Sequence, residues 1–148
     1  MARLPGVLSA DSPEALLLME GVNDLFGGDP STISPMINAL TQMVRQAQNL
    51  GVQVFLGTLL PERPGGSRSS ALPLISAAND QIRQMAALEG AILVDLYQGF
   101  AGSPDPYIGD DGLHPTESGY GKIAELWFEV IRARLEVGAA PAVLSWRR

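Results

Sequence analysis

Asn23, Asp111 and His114 are the side chains of this sequence whose types and surroundings suit carbonyl chemistry. His114 is the only histidine, so imidazole acid–base chemistry has no other group to use. Asp111 stands three residues earlier, across Gly112. That spacing lets a carboxylate fold back on the ring, fix its tautomer and stabilise imidazolium. Asn23 lies two positions past Gly21, after an apolar run, where a side-chain amide can donate to an oxygen gaining negative charge. Each has a plainer reading. Asn23-Asp24 also fits an Asx turn after a strand, and Asp111 with His114 also fits a polar loop before a Pro-led helix.

The remaining chemistry-bearing candidates are weaker. Ala10-Asp11-Ser12-Pro13 places a serine after an aspartate, but only eleven positions (23 minus 12) separate Ser12 from Asn23. Two parallel strands need a crossover of about a dozen residues or more between them. Ser12 is therefore expected to cap or turn the chain before the first strand, and Ser9, Ser31, Ser34, Ser67, Ser69 and Ser70 read as loop or cap residues. One imidazole beside Asp110, Asp111 and Glu117 carries no metal signature, so no metal or cofactor is expected. Gly27-Gly28 and Gly65-Gly66 lack the context of a phosphate loop and read as turns.

The elements that must position these groups are visible in the hydrophobic pattern. Ala15-Leu-Leu-Leu-Met-Glu20, Val52-Gln-Val-Phe-Leu-Gly-Thr58 and Ala91-Ile-Leu-Val-Asp95 are short apolar runs that suit strands covered on both faces. Between them, Met36, Ile37, Leu40, Met43, Val44 and Ala47 recur at helical spacing, with Ser34 as N-cap, Pro35 at the first helical position and Gly51 as stop. A second helix runs from Leu72 to Leu88 and ends at Gly90. A third runs from Thr116 to about Val137, with Trp127 read as core. Pro61 to Ser70 is a Pro/Gly/Ser-rich loop, and 138–148 is expected to fray. Strand alternating with helix implies a parallel sheet with right-handed crossovers and places function at the carboxyl ends of the strands, where Gly21 to Asp24 falls.

Composition narrows the class. The 148 residues, 46% of them hydrophobic, suffice for one domain with a core. A net charge of -6, with no stripe of basic residues, argues against nucleic acid as partner. Without cysteine there is neither a disulfide framework nor a thiolate site, which leaves the compartment open. No apolar run approaches the ~20 residues needed to span a bilayer, and the start lacks the apolar core of a signal peptide, although one could precede a longer product.

Taken together, Met19-Glu-Gly-Val-Asn-Asp24 after a strand, Asn79-Asp-Gln-Ile-Arg83, Leu93-Val-Asp-Leu-Tyr97, and Asp111-Gly-Leu-His-Pro115 before Gly119-Tyr120 resemble the GDSL/SGNH-type serine ester hydrolases from Pro13 to about Leu135. The resemblance implies a flavodoxin-like, three-layer α/β/α fold and hydrolysis of carboxylic esters through an acyl-enzyme. It implies His114 as general base, Asp111 as the residue orienting it, Asn23 as oxyanion-hole donor, and structural roles for Asp24 and Asp95. Family members begin with a strand carrying Gly-Asp-Ser and a second strand followed by an oxyanion-hole glycine; neither motif is present here. The expectation is a single domain lacking the first two strands of that fold, with a small-molecule ester as substrate. Its exposed strand edge at 15–20 would drive homo-oligomerisation or complementation by another strand. The alternative is a catalytically inactive remnant that binds a ligand or associates with itself.

Overall fold

The structure is a computed structural model describing residues 3–136. Leu4–Asp11 forms helix α1, which buries Leu4 and Leu8 one turn apart. Ser12 ends it in a left-handed conformation (φ 44°), its N–H donating to the carbonyl of Leu8. Sequence reading did not anticipate α1, because only two apolar side chains of its eight residues reach the core. Strand β1 (Ala15–Leu18) follows directly, and a 3-10 turn over Val22–Leu25 comes after Gly21.

Helix α2 spans Ile33–Gln48. The expected Ser34 cap is corrected here. Asp29 accepts a hydrogen bond from Ser31 N at 2.9 Å and starts a 3-10 turn over Pro30–Thr32 that runs straight into the helix. Ser34 and Pro35 therefore lie inside the first turn, where N–H groups have no intrahelical acceptor and a proline costs little. Strand β2 (Gln53–Gly57), helix α3 (Leu72–Glu89), strand β3 (Ile92–Val94), a single helical turn α4 (Leu96–Gly99) and helix α5 (Glu117–Leu135) complete the order. As the pattern implied, α3 stops at Gly90 in the left-handed region; α5 begins one residue after the expected Thr116, whose hydroxyl caps it by accepting from Gly119 N at 3.1 Å.

The three strands are parallel in the order β1-β2-β3, with Leu16 beside Val54 and Phe55 beside Ile92. Side chains alternate across a strand, and the sheet uses both faces. Leu18, Val54 and Leu56 pack with Met36, Leu40 and Val44 of α2 and Ile75 and Ile82 of α3. Phe55 and Val94 point the other way, into a cluster with Leu96, Ile108, Ile123 and the partly buried Trp127 of α5. Two-sided burial explains why β2, the middle strand, is apolar at consecutive positions. β1 differs. Its outer edge pairs with no strand among the described residues, and Leu17 remains 51% exposed. The segment 138–148, expected to fray, lies outside the described residues.

Candidate active site

Asn23 belongs to the 3-10 turn at the carboxyl end of β1 and is exposed. Its side-chain amide makes no hydrogen bond to any described residue, so the amide is not consumed in an Asx turn. His114 arrives from the far side, on the loop between α4 and α5. An isolated antiparallel bridge between Ile108 and Pro115 pinches that loop shut. Gly109 N donates to His114 O at 2.8 Å, and Gly112 N to Gly109 O at 3.0 Å. Gly112 turns the chain with φ +87°, a region open to few residues but glycine.

This turn brings Asp111 back onto His114. One carboxylate oxygen, Oδ1, accepts from the backbone N–H of Leu113 and of His114, each at 3.0 Å. The other, Oδ2, lies 2.5 Å from the ring Nδ1. The His114 bond, reinforced by the two backbone N–H groups, holds the Asp111 carboxyl down at about 2 against the usual 3.8. An ionised carboxylate only accepts, so Nδ1 is the donor in this bond, and in the neutral tautomer that fits it Nε2 carries the lone pair. The imidazole side chain is 57% exposed. It is thus oriented on one side and accessible on the other, as a general base requires.

Asn23 and His114 line the same cleft, of about 290 Å³, together with Leu59, Glu62, Arg68 and Tyr120. A larger hollow, about 710 Å³, lies along β1 between α1 and α2. It is walled by Val7, Leu17, Met36 and Leu40, and neither Asn23, Asp111 nor His114 reaches it.

Several supporting residues were not singled out for function from sequence. Buried Asn79 accepts from Leu59 N at 2.7 Å and donates to Leu59 O at 2.9 Å, fixing the strand exit beside the cleft. Asp95 pairs with Arg83 through Nε at 2.8 Å and Nη2 at 3.1 Å, and accepts from Thr58 Oγ1 at 3.2 Å. Burial raises the Asp95 pKa, but the Arg83 bond, the Gln98 N–H, the Arg83 charge and Thr58 outweigh it and leave the group below its usual range. Glu62 is 3% exposed, and its carboxylate faces the Leu72 and Ala71 N–H groups without a well-formed hydrogen bond to either. Burial pushes its pKa up against the pull of the Leu72 and Ala71 N–H groups. A carboxylate in a Pro/Gly-rich loop gives no sequence signal of burial, because loops are ordinarily exposed. Asp24 is exposed.

The model of the GDSL-like lipase/acylhydrolase family matches residues 1–122. The chain belongs to that family. A multidomain esterase of Ruminococcus flavefaciens is 26% identical over 133 residues, which are 88% of this chain and 17% of that protein. Among solved structures, a GDSL-like lipase from Bacteroides thetaiotaomicron superposes with a TM-score of 0.73 at 22% identity, covering 90% of this chain and 69% of its own. A lipase/acylhydrolase from Enterococcus faecalis gives 0.75 at 22% identity, covering 90% and 68%. A catalytic mutant of an acetylxylan esterase from Geobacillus stearothermophilus gives 0.68 at 17%, covering 88% and 64%. This GDSL-like chain therefore has the fold of those proteins and spans about two thirds of their length, and a small part of the Ruminococcus esterase.

Proposed function

We propose that this chain supplies the acid–base and oxyanion groups of a carboxylic ester hydrolase, with His114 as general base, Asp111 orienting it and Asn23 donating to the oxyanion. The observation that carries this reading is the convergence of Asn23 and His114 on one cleft, with Asp111 fixed on the remote ring nitrogen. In the reaction a serine hydroxyl attacks the ester carbonyl and passes its proton to His114 Nε2. The carbonyl oxygen becomes an oxyanion that accepts from the Asn23 amide. Collapse expels the alcohol, which takes the proton back from imidazolium and leaves an acyl-serine. Water then repeats the sequence and releases the acid.

No serine among the described residues lines the cleft. We propose that the nucleophile is contributed by a segment of the Gly-Asp-Ser type that is not within residues 3–136. Fluorophosphonate labelling tests this. The 148-residue chain alone is expected to give no serine adduct, and co-expression with a family segment bearing Gly-Asp-Ser is expected to restore one. A stoichiometric adduct on the chain alone, abolished by His114→Ala, would place the nucleophile within it. No adduct in either case refutes the hydrolase reading.

A second reading is favoured by the open edge of β1. The hollow beside Leu17 and Met36 invites an added strand, from another polypeptide or a second copy of this chain. This would make self-association or strand complementation through residues 15–20 the behaviour of the isolated chain. A well-folded monomer in dilute solution by light scattering contradicts it.

A further inference from the structure

We propose that Arg63 is the positioning residue for the Asp111–His114 pair, clamping the loop that carries it at three points. The proposal rests on reading that pair as the acid–base unit of the cleft. Functional side chains need placement to within about 0.5 Å, yet Asp111 and His114 lie on a loop outside any strand or long helix, closed by the Ile108–Pro115 bridge and a few short turns. Bracing comes from the neighbouring loop, residues 61–70. Arg63 N donates to Gly112 O at 2.9 Å. Its guanidinium donates to Ile108 O from Nε at 3.0 Å and from Nη2 at 2.5 Å, and Nη1 lies 2.6 Å from Asp105 Oδ1. One residue thus holds the entry of the loop at Asp105, its root at Ile108 and its turn at Gly112.

Close backbone approach completes the clamp. Arg68 N donates to Asp111 O at 2.8 Å, so the main chain of Asp111 is gripped while its side chain engages the ring. A Cβ at Gly66 would collide with the Asp111 carbonyl and the Gly112 Cα, and one at Gly112 would stand 2.8 Å from Arg63 O. The Arg63 side chain is 29% exposed, and its planar fork serves two acceptors at once, which a lysine cannot match.

The test reads the pair itself and needs no ester. Carbon-13 NMR of the Asp111 carboxyl follows its titration, and the proton on His114 Nδ1 is unambiguous because the chain has one histidine. In folded Arg63→Ala, the Asp111 midpoint is expected to rise from about 2 towards 3.8, and the Nδ1 proton signal to vanish into exchange with water. Arg63→Lys, which keeps the charge opposite Asp105, should fall between. Arg45→Ala removes a comparable ion pair, with Glu89 at 2.7 Å, and should change neither signal. An unmoved midpoint and ring proton in Arg63→Ala overturn the proposal. If that variant does not fold, the same result in Arg63→Lys does so. A shift of equal size in Arg45→Ala also overturns it, by showing a general loss of stability. Missing hydrolysis alongside an Asp111 that responds to Arg63 defeats the hydrolase reading alone.

Discussion

Two hollows among the described residues differ in more than size. The larger, along β1, is walled mainly by aliphatic side chains, with Arg3, Glu20 and Asp24 also on its lining and no imidazole. The smaller, at the carboxyl ends of the strands, joins an uncommitted amide to an imidazole whose far nitrogen is already bonded. Volume follows from where the sheet stops pairing. Chemistry follows from where several loops converge, as expected for parallel α/β sheets. The comparison also separates two kinds of stability. The cleft loop is held by hydrogen bonds made to particular atoms, whereas the β1 edge leaves Leu17 half exposed and pairs with no strand among the described residues.

The sharpest way to break this contrast is to remove the imidazole. In a form complemented by a serine-bearing segment, His114→Ala is expected to lower kcat by about 10⁴-fold or more, since members of a triad act as a unit. Hydrolysis of p-nitrophenyl acetate measures it. Asn23→Ala should cost less, about 10²- to 10³-fold in kcat with KM little changed, because an oxyanion donor acts chiefly in the transition state. Equal losses in kcat and a raised KM would instead make Asn23 a substrate-binding group. At the other hollow, Leu17→Lys places a charge on the open edge and is expected to turn any oligomer into monomer by light scattering. The Asp111 titration should be untouched. If Leu17→Lys disturbs Asp111, the two regions are coupled and not independent.

Much of this division could be read from sequence, and the reasons are physical. The three strands stand out as short apolar runs, and in β2 the run from Val54 to Leu56 follows from burial on both faces, whereas β1 is apolar with one side left open at Leu17. Helix ends were legible where glycine or threonine does the capping, at Gly90 and Thr116. They were misread at Ser34, where a preceding 3-10 turn shifted the boundary. The cleft was legible in outline because Asp111 and His114 are close in sequence and share one turn. What surrounds it was not. Arg63 reaches Ile108 across 45 positions, and Glu62 is buried with its carboxyl towards the Ala71 and Leu72 N–H groups at the start of α3. Contacts of that range leave no local pattern, so a Pro/Gly/Ser-rich stretch that reads as surface loop turned out to be the wall and brace of the site.

Glu62 yields the smallest of the expected effects and the one that probes this wall most directly. Its carboxyl is buried without a well-formed hydrogen bond, and burial raises its pKa above the usual 4.5 against the pull of the Leu72 and Ala71 N–H groups. Between 4.5 and that raised value the folded chain holds a proton that the unfolded chain has released. Stability from this group therefore falls as pH rises through that window and is level below it. Asp111 behaves oppositely: its contribution is complete above 3.8 and is lost as pH falls towards about 2, so the two slopes occupy separate ranges. Glu62→Gln keeps the shape and removes the charge, and thermal unfolding at a series of pH values should show the falling limb above 4.5 flattened relative to the parent. Identical limbs in the two proteins would mean that the Glu62 carboxylate finds a partner once ionised, which would move it from the wall of the cleft into its polar network.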